Sequence, residues 1–285
     1  MDGTTTLNDF DFAVELVPLS CLTEDGHNID VPTNMSRALI RPDTHDVLGV
    51  HGSKYRITTH SQVVDTVEEA VVKANLSSDR TMNVDVYENG ALLKGTISFN
   101  DITIQPVVGD YIRFDINFWN SYNGQWSIQI SGDGRRLFCM NGCTTPHSVA
   151  RTFRKHSSNI NTEQEANKLA RSLDIFFNQK DIWNAWSKCN VFRDDVENLF
   201  REELCRYPSK SSWERFNMKQ LDELMRQYDV ERQTLGNTAW AAYNTMTHWA
   251  SHPDASKPYN VERTRSNAVA KALRSNTWNT KVLCL

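Results

Sequence analysis

The hydrophobic pattern of this chain changes its period once, near residue 145, and this change limits the folds open to it. Before that point apolar and polar residues alternate, as in Tyr111–Trp119, where Ile112, Phe114, Ile116 and Phe118 share one face. After it, apolar residues recur every three to four positions, which is the spacing of one helix face. We therefore predict an α+β protein, in which an antiparallel, β-rich N-terminal half with one helix packs on an α-helical C-terminal half.

Turn signals divide the N-terminal half into short strands. Arg80–Tyr87 and Leu92–Phe99 flank Asn89-Gly90, and Asn-Gly is a strong hairpin signal. Ser61 is a candidate N-cap for a helix that ends at about Ala74. The other predicted strands are Phe10–Val17, Arg37–Ile40, Val47–Val50, Tyr55–Thr58, Trp126–Ser131 and Arg135–Met140, with a loop over 20–36 and a turn at Gly132-Asp133-Gly134.

Helical periodicity organises the C-terminal half. Thr162 and Glu165 form a capping box, which predicts that a helix begins there. Further helices are expected near 180–190, 193–206, 212–231, 238–250 and 262–275. Four tryptophans on apolar stripes are expected in the core: Trp183, Trp186, Trp240 and Trp249. The change of period suggests a β-rich domain over 1–145 and a helical domain over 146–285, or one continuous globular unit.

The composition is that of a globular, intracellular protein. The chain has 285 residues, 39% hydrophobic and 23% charged, and lacks an apolar run near the roughly 20 residues that cross a bilayer. Its first 30 residues contain no Lys or Arg, which a secretory signal requires. Six widely scattered cysteines are expected to be free thiols.

Charge is distributed unevenly along the chain. Residues 1–110 contain 17 acidic and 7 basic residues, whereas residues 151–285 contain 16 acidic and 21 basic ones. The basic excess is concentrated in 151–171 and 257–285. Binding of a polyanion depends on local potential and not on the net charge of −4. The alternative interpretation is that these segments are ordinary solvated helix faces.

Motifs for catalysis or metal binding are weak. A zinc site is suggested by four residues of suitable type, Cys139, Cys143, His147 and His156. Structural zinc sites, however, use ligand pairs that are closer together in the sequence. A cysteine nucleophile would need a base that the fold brings near. The nucleotide and hydrolase motifs GxxxxGK[ST], GxGxxG, GxSxG and HExxH do not occur. We therefore expect a protein that is not an enzyme and needs no metal or cofactor.

Basic and aromatic residues occur together, which is typical of proteins that bind single-stranded nucleic acid. Tyr122 and Trp126 are predicted at a polar hairpin tip close to Arg135 and Arg136, where bases could stack and phosphates could be held. The alternative is that both aromatic residues belong to the core. The full set of candidate DNA-binding residues is Tyr122, Trp126, Arg135, Arg136, Arg151, Arg154, Lys155, Lys257, Arg263, Arg265, Lys271, Arg274, Trp278 and Lys281.

Four segments resemble a phage- and plasmid-encoded family of proteins of unknown function: NSYNG at 120–124, RRLFCMNG at 135–142, NTAWAAYNTMTHWASH at 237–252 and NAVAKALRSNTW at 267–278. The first motif usually contains His and Asp where this chain has Tyr122 and Asn123, and this exchange favours binding over acid–base chemistry. Within that family the chain is most similar to the Drc-like cofactors of podoviruses that carry a virion RNA polymerase.

The resemblance implies several properties. They are binding of single-stranded DNA, assistance to a phage-encoded RNA polymerase in early or middle transcription, a fold unlike the OB-type binders, and a place in the cytoplasm of an infected bacterium. A homo-oligomer with no membrane partner is expected. The alternatives are a single-strand annealing protein of recombination, a metalloprotein centred on the Cys and His residues named above, or a protein adaptor that does not bind DNA.

Overall fold

The computed structural model describes residues 9–137, 142–143, 152–154, 161–207, 215–255 and 258–283. It confirms the α+β class, with antiparallel sheets in the N-terminal half and helices in the C-terminal half. Side chains are described throughout these ranges except at 142–143 and 152–154, where only the backbone is.

A four-stranded antiparallel sheet has the order β2-β1-β3-β4. Its strands are β1 (Glu15–Leu22), β2 (Asn28–Val31), β3 (Ser36–Arg41) and β4 (Asp46–Gly52). Strand β1 continues through Pro18, where the sequence predicted an end. Pro18 lies at the point where the pairing of β1 changes from β3 to β2, so its missing N–H is tolerated. The predicted loop over 20–36 was wrong because it contains β2, and the predicted strand Tyr55–Thr58 is not a strand.

A six-stranded sheet has the order β10-β8-β7-β6-β5, and β9 also pairs with β8. Its strands are β5 (Arg80–Tyr87), β6 (Leu92–Val107), β7 (Asp110–Ser121), β8 (Ile128–Arg136), β9 (Gly142–Cys143) and β10 (Thr152–Arg154). The hairpin at Asn89-Gly90 is confirmed, with both residues in the left-handed region that such a turn requires. The predicted turn at Gly132-Asp133-Gly134 is wrong, because β8 runs through it.

The helices are α1 (His60–Lys73), α2 (Thr162–Lys188), α3 (Arg193–Leu199), α4 (Met218–Leu235), α5 (Ala239–Ser251) and α6 (Pro258–Ala272), with π-helical turns at Phe200–Leu204 and Trp278–Val282. Thr59, and not Ser61, caps α1, and Gln62 completes its capping box. The two helices predicted between Thr162 and 190 form one helix, α2, since this stretch contains no Gly or Pro. None of the helices in the described ranges is long and apolar enough to span a membrane.

The chain divides into two compact units whose segments interleave. Unit 1 comprises 1–100, 115–132 and 149–172, and unit 2 comprises 101–114, 133–148 and 173–285. The domain boundary suggested near residue 145 falls at 144–151, outside the described residues, and it stays a prediction.

Each unit has its own apolar core. In unit 1, helix α1 buries Val63, Val67 and Val71, and a second cluster joins Leu39, Leu48, Ala91 and Tyr122. In unit 2 the core is aromatic. Trp183, Trp240 and Tyr243 are fully buried with ring centroids 5.2–6.2 Å apart, and Trp186 and Trp278 extend this stack. The expectation that Trp183, Trp186 and Trp240 lie in the core is confirmed, whereas Trp249 is only half-buried.

Candidate functional site

The segment Asn120–Trp126 in unit 1 is a corner whose two aromatic rings are buried, while Gly124 and Gln125 at its turn are exposed. The side chain of Tyr122 is fully buried, and that of Trp126 is 3% exposed. The Tyr122 ring stacks on His60 at 4.1 Å, and its hydroxyl accepts a hydrogen bond of 2.8 Å from the His60 backbone N–H. The prediction that bases stack on Tyr122 or Trp126 is therefore wrong, because neither ring has a free face.

Ser121 and Asn123 of this corner form hydrogen bonds that fix the turn. The Ser121 hydroxyl accepts from the Trp126 backbone N–H at 3.0 Å and donates to the Trp126 carbonyl at 2.7 Å. The Asn123 amide donates to the Glu88 carboxylate at 2.9 Å. Such a corner explains why so many special residues occur here, since buried polar groups must be satisfied locally.

His60 connects this corner to the rest of unit 1. Its Nδ1 lies 3.0 Å from the Asn120 side-chain nitrogen, and its Nε2 lies 2.9 Å from the Gly90 carbonyl. An amide nitrogen can only donate and a carbonyl can only accept, so the proton is on Nε2 and Nδ1 accepts. Both ring nitrogens are thus used in holding the fold. The burial of Tyr122 also raises the pKa of its hydroxyl, against the weaker effect of the hydrogen bond from His60.

Arg136 in unit 2 is a buried structural cation. Its side chain donates to Asp110 at 2.7 Å and to Glu231 at 3.1 Å, and its residue surface is 2% exposed. Asp110 also accepts from the indole N–H of Trp240 at 2.9 Å. Burial lowers the pKa of Arg136, but the two carboxylates outweigh that effect, so its pKa lies above its usual value. The prediction that Arg136 binds phosphate is wrong, because its guanidinium group is buried and already bound to Asp110 and Glu231.

The neighbouring Arg135 points to the other face of the sheet. The Leu137 backbone N–H donates to the Tyr111 carbonyl at 2.8 Å. Continuing this antiparallel register by two residues places Arg135 opposite Arg113. Side chains alternate along these strands, and the outer face carries the partly exposed residues Tyr111, Arg113, Arg135 and Leu137.

Two half-exposed aromatic rings lie on this side of unit 2. Tyr111 is 49% exposed and Phe177 is 48% exposed. Together with Thr103, Gln105 and Lys180 they line a surface depression of about 500 Å³, which we call the Tyr111–Phe177 patch. Large aromatic rings are normally covered, so two of them beside a lysine mark a candidate binding surface.

The structure separates the remaining predicted residues. Trp278 is 1% exposed and packs edge-on against Trp186 at 5.1 Å, so the prediction that it stacks on bases is wrong. Lys271, Arg274 and Lys281 are exposed, while Arg263 and Arg265 are half-buried. Arg151, Lys155 and Lys257 lie outside the described residues, as does the side chain of Arg154.

The suggested zinc ligands lie in a part of the chain of which little is described. Cys139, His147 and His156 lie outside the described residues, and only the backbone of Cys143 is described. Within the ranges that the structure does describe, no group of three or more His, Cys, Asp or Glu side chains could hold a metal ion.

Tyr111 and Phe177 were missed by sequence reasoning for different reasons. Tyr111 alternates with Ile112 and Phe114, so its outward direction could have been read from the strand pattern. Phe177 follows Phe176 on α2, and apolar residues of this kind are normally buried. Only Phe176 packs inward, with its ring 5.3 Å from that of Phe114.

The comparisons with known proteins give a family and no function. The family model described as a domain of unknown function (DUF932) matches residues 47–275. No curated protein and no solved structure matches the chain. The resemblance to a family of unknown function is thereby confirmed.

Proposed function

The chain belongs to the DUF932 family, and we propose that it is a single-stranded-DNA-binding protein that is not an enzyme, with the Tyr111–Phe177 patch as its base-binding surface. The observation that carries this proposal is the pair of half-exposed aromatic rings beside Lys180. Proteins of this class combine aromatic faces for bases with cations for phosphates.

Strand β7, which carries Tyr111, and its neighbour β8 also supply cations. Arg135 lies opposite Arg113 on the outer face, two residues along from Tyr111 and Leu137. A strand whose bases contact Tyr111 would place its phosphates within reach of these guanidinium groups, which bind phosphate through a planar fork of donors. Exposed Lys271, Arg274 and Lys281 add positive charge to unit 2.

The test is fluorescence anisotropy with labelled single- and double-stranded oligonucleotides. We expect preferential binding to single strands that weakens steeply between about 50 and about 200 mM salt, because bound cations release counterions from the strand. Absence of binding at the lower salt concentration would overturn the proposal.

The double variant Tyr111→Ala/Phe177→Ala tests the patch itself. Stacking contributes about 1–3 kcal/mol per base, so we expect the affinity for single strands to fall about tenfold or more. Phe192→Ala is the matched control, because Phe192 is 79% exposed but does not line the depression. Equal affinities of the double variant and the control would remove the patch from the binding surface.

We propose further that the partner in the cell is a phage-encoded RNA polymerase of the single-subunit type, acting on opened promoters. The similarity of the chain to Drc-like cofactors, within the family that the NSYNG and RRLFCMNG segments resemble, supports this. In a reconstituted transcription assay, we expect the protein to increase initiation from a promoter with an opened strand. No increase with a protein that binds single strands would separate the polymerase proposal from the DNA-binding proposal.

A further inference from the structure

A second cavity in unit 2, a polar cleft of about 390 Å³, lies beside helices α4, α5 and α6. Helix α4 contributes Glu223, the end of α5 contributes His248 and Trp249, and α6 contributes Arg265. Its volume falls in the range of small-molecule sites, which is roughly 300–1,000 Å³. It shares no lining residue with the Tyr111–Phe177 patch.

Arg265 is a fixed cation in the wall of this cleft. Its guanidinium carbon lies 4.6 Å from the centroid of the Trp249 ring, and Nη1 donates to the Trp249 carbonyl at 2.7 Å. Burial lowers the pKa of Arg265, and the negative charge of Glu223 partly offsets this effect. The guanidinium group stays charged, because arginine is not deprotonated in proteins. Among the described residues no carboxylate forms an ion pair with Arg265, so its remaining N–H donors are available to a ligand.

Two histidines and an indole N–H line the same cleft, and some of these groups have no hydrogen-bond partner among the described residues. The rings of His248 and His252 stack with their centroids 4.4 Å apart. Nδ1 of His252 approaches the backbone carbonyl of His248 at 3.1 Å, whereas the His248 ring itself has no hydrogen-bond partner in the described part of the chain. The buried indole N–H of Trp249 also lacks a partner there. Such groups are normally satisfied in folded proteins.

We propose that this cleft binds a terminal phosphate group, such as that of a nucleoside 5′-monophosphate, and that Arg265 holds the phosphate. A phosphate monoester carries close to two negative charges at neutral pH, and the guanidinium fork matches two of its oxygens. An imidazole N–H adds a donor. Glu223 and Asp254, which also line the cleft, would accept hydrogen bonds from sugar hydroxyls. This small-molecule site goes beyond the strand binding proposed above.

Isothermal titration calorimetry of the full chain with dAMP, 2′-deoxyadenosine and inorganic phosphate tests the proposal. We expect dAMP to bind, and 2′-deoxyadenosine to bind about tenfold more weakly or not at all, because it lacks the phosphate. Inorganic phosphate should compete with dAMP. Equal binding of 2′-deoxyadenosine and dAMP, or no binding of dAMP at millimolar concentration, would overturn the proposal.

Variants locate the phosphate contact. Arg265→Gln should weaken dAMP binding about tenfold or more. Arg265→Lys keeps the charge but not the guanidinium fork, so its affinity for dAMP should lie between those of Arg265→Gln and the native protein. This variant provides the test if Arg265→Gln does not fold. Lys188→Gln removes an exposed cation from α2, which does not line the cleft, and should leave the affinity within about twofold. An equal effect of Lys188→Gln and Arg265→Gln would assign binding to general charge and overturn the site.

Two sources of the phosphate can be distinguished with oligonucleotides. Tighter binding of a 5′-phosphorylated strand than of a 5′-hydroxyl strand, lost in Arg265→Gln, supports the site and assigns it to the end of a DNA strand. Equal binding of both strands, together with binding of dAMP, supports the site and assigns it to a free nucleotide. Because Tyr111→Ala/Phe177→Ala leaves the cleft intact, failure of strand binding and failure of the phosphate site are distinguishable.

Discussion

At the scale of single residues, burial decides which chemistry each side chain can perform. Tyr122 and Tyr111 are the same residue type on the same stretch of chain, yet the first is fully buried against His60 and the second is half-exposed. Tyr122 therefore stabilises unit 1, whereas Tyr111 is available for contacts with a partner. Arg136 and Arg135 differ in the same way, because successive side chains of a strand face opposite sides.

His248 gives a prediction about pH at this scale. Burial lowers its pKa below the usual 6.5, and the charge of His252 adds to this effect while Glu231 opposes it. The unfolded chain therefore binds a proton more readily than the folded one. The contribution of the neutral His248 ring to the free energy of unfolding is therefore fully present above pH 6.5. It is lost as the pH falls through the lower pKa of the folded state.

The measurement is urea denaturation at pH 7.5 and 5.5 in a buffer without phosphate, for the native protein and His248→Gln. We expect the native protein to lose more of its free energy of unfolding on acidification than the variant does. A ¹H NMR titration gives the pKa of the ring directly. A value at or above 6.5 would contradict the prediction.

At the scale of elements, pairing partners overrode local turn and break signals. Gly132-Asp133-Gly134 has turn chemistry, but β8 continues through it, pairing with β10 before it at 128–130 and with β9 at Gly134 and Arg135. Pairing at both ends of the segment keeps it extended, as expected where context outweighs intrinsic preference. By contrast, the Asn89-Gly90 turn was predictable because the two residues themselves adopt the backbone angles the turn requires.

The ion pairs that connect β7, β8 and α4 give a prediction about stability. Asp110→Asn removes the carboxylate on β7 that pairs with Arg136 on β8. The buried guanidinium group then keeps only Glu231 as its anion. Breaking a buried pair costs about 3–5 kcal/mol, and we expect the free energy of unfolding to fall by about 3 kcal/mol. Chemical denaturation measures this change.

The matched control is Glu69→Gln, which removes the acid of the exposed Glu69–Lys73 pair. Exposed pairs contribute little, so this variant should unfold close to the native midpoint. Equal midpoints for both variants would show that the buried network does not stabilise the fold.

At the scale of the whole molecule, the two units interleave along the chain. Unit 1 includes 149–172, and unit 2 includes 101–114 and 133–148. Each unit therefore draws on both the β-rich and the helical half of the sequence. The change of hydrophobic period near residue 145 marks a change of secondary structure, which need not coincide with a boundary between compact units.

This organisation predicts the behaviour of fragments. Residues 1–145 and 146–285, expressed separately, should each fail to fold, because each lacks strands or helix turns that its unit requires. The near-UV circular dichroism and the denaturation curve of each fragment test this. A cooperative transition in either fragment would show an independent domain and support the boundary near residue 145.

The sequence by itself determined the fold class, the Asn89-Gly90 hairpin, the start of α2 at Thr162 and the burial of Trp183 and Trp240. Each of these depends on local periodicity or on the backbone preference of one or two residues. The predicted capping box of Thr162 and Glu165 is wrong, because the side chain of Asn161 caps α2 by accepting from the Gln164 backbone N–H at 3.0 Å. The tertiary structure alone decided that Tyr122 and Arg136 are buried, that Phe177 is exposed, and that Arg265 lies against Trp249 in a cleft. Those outcomes depend on which residues, distant in sequence, pack against each side chain. The local sequence pattern does not contain that information.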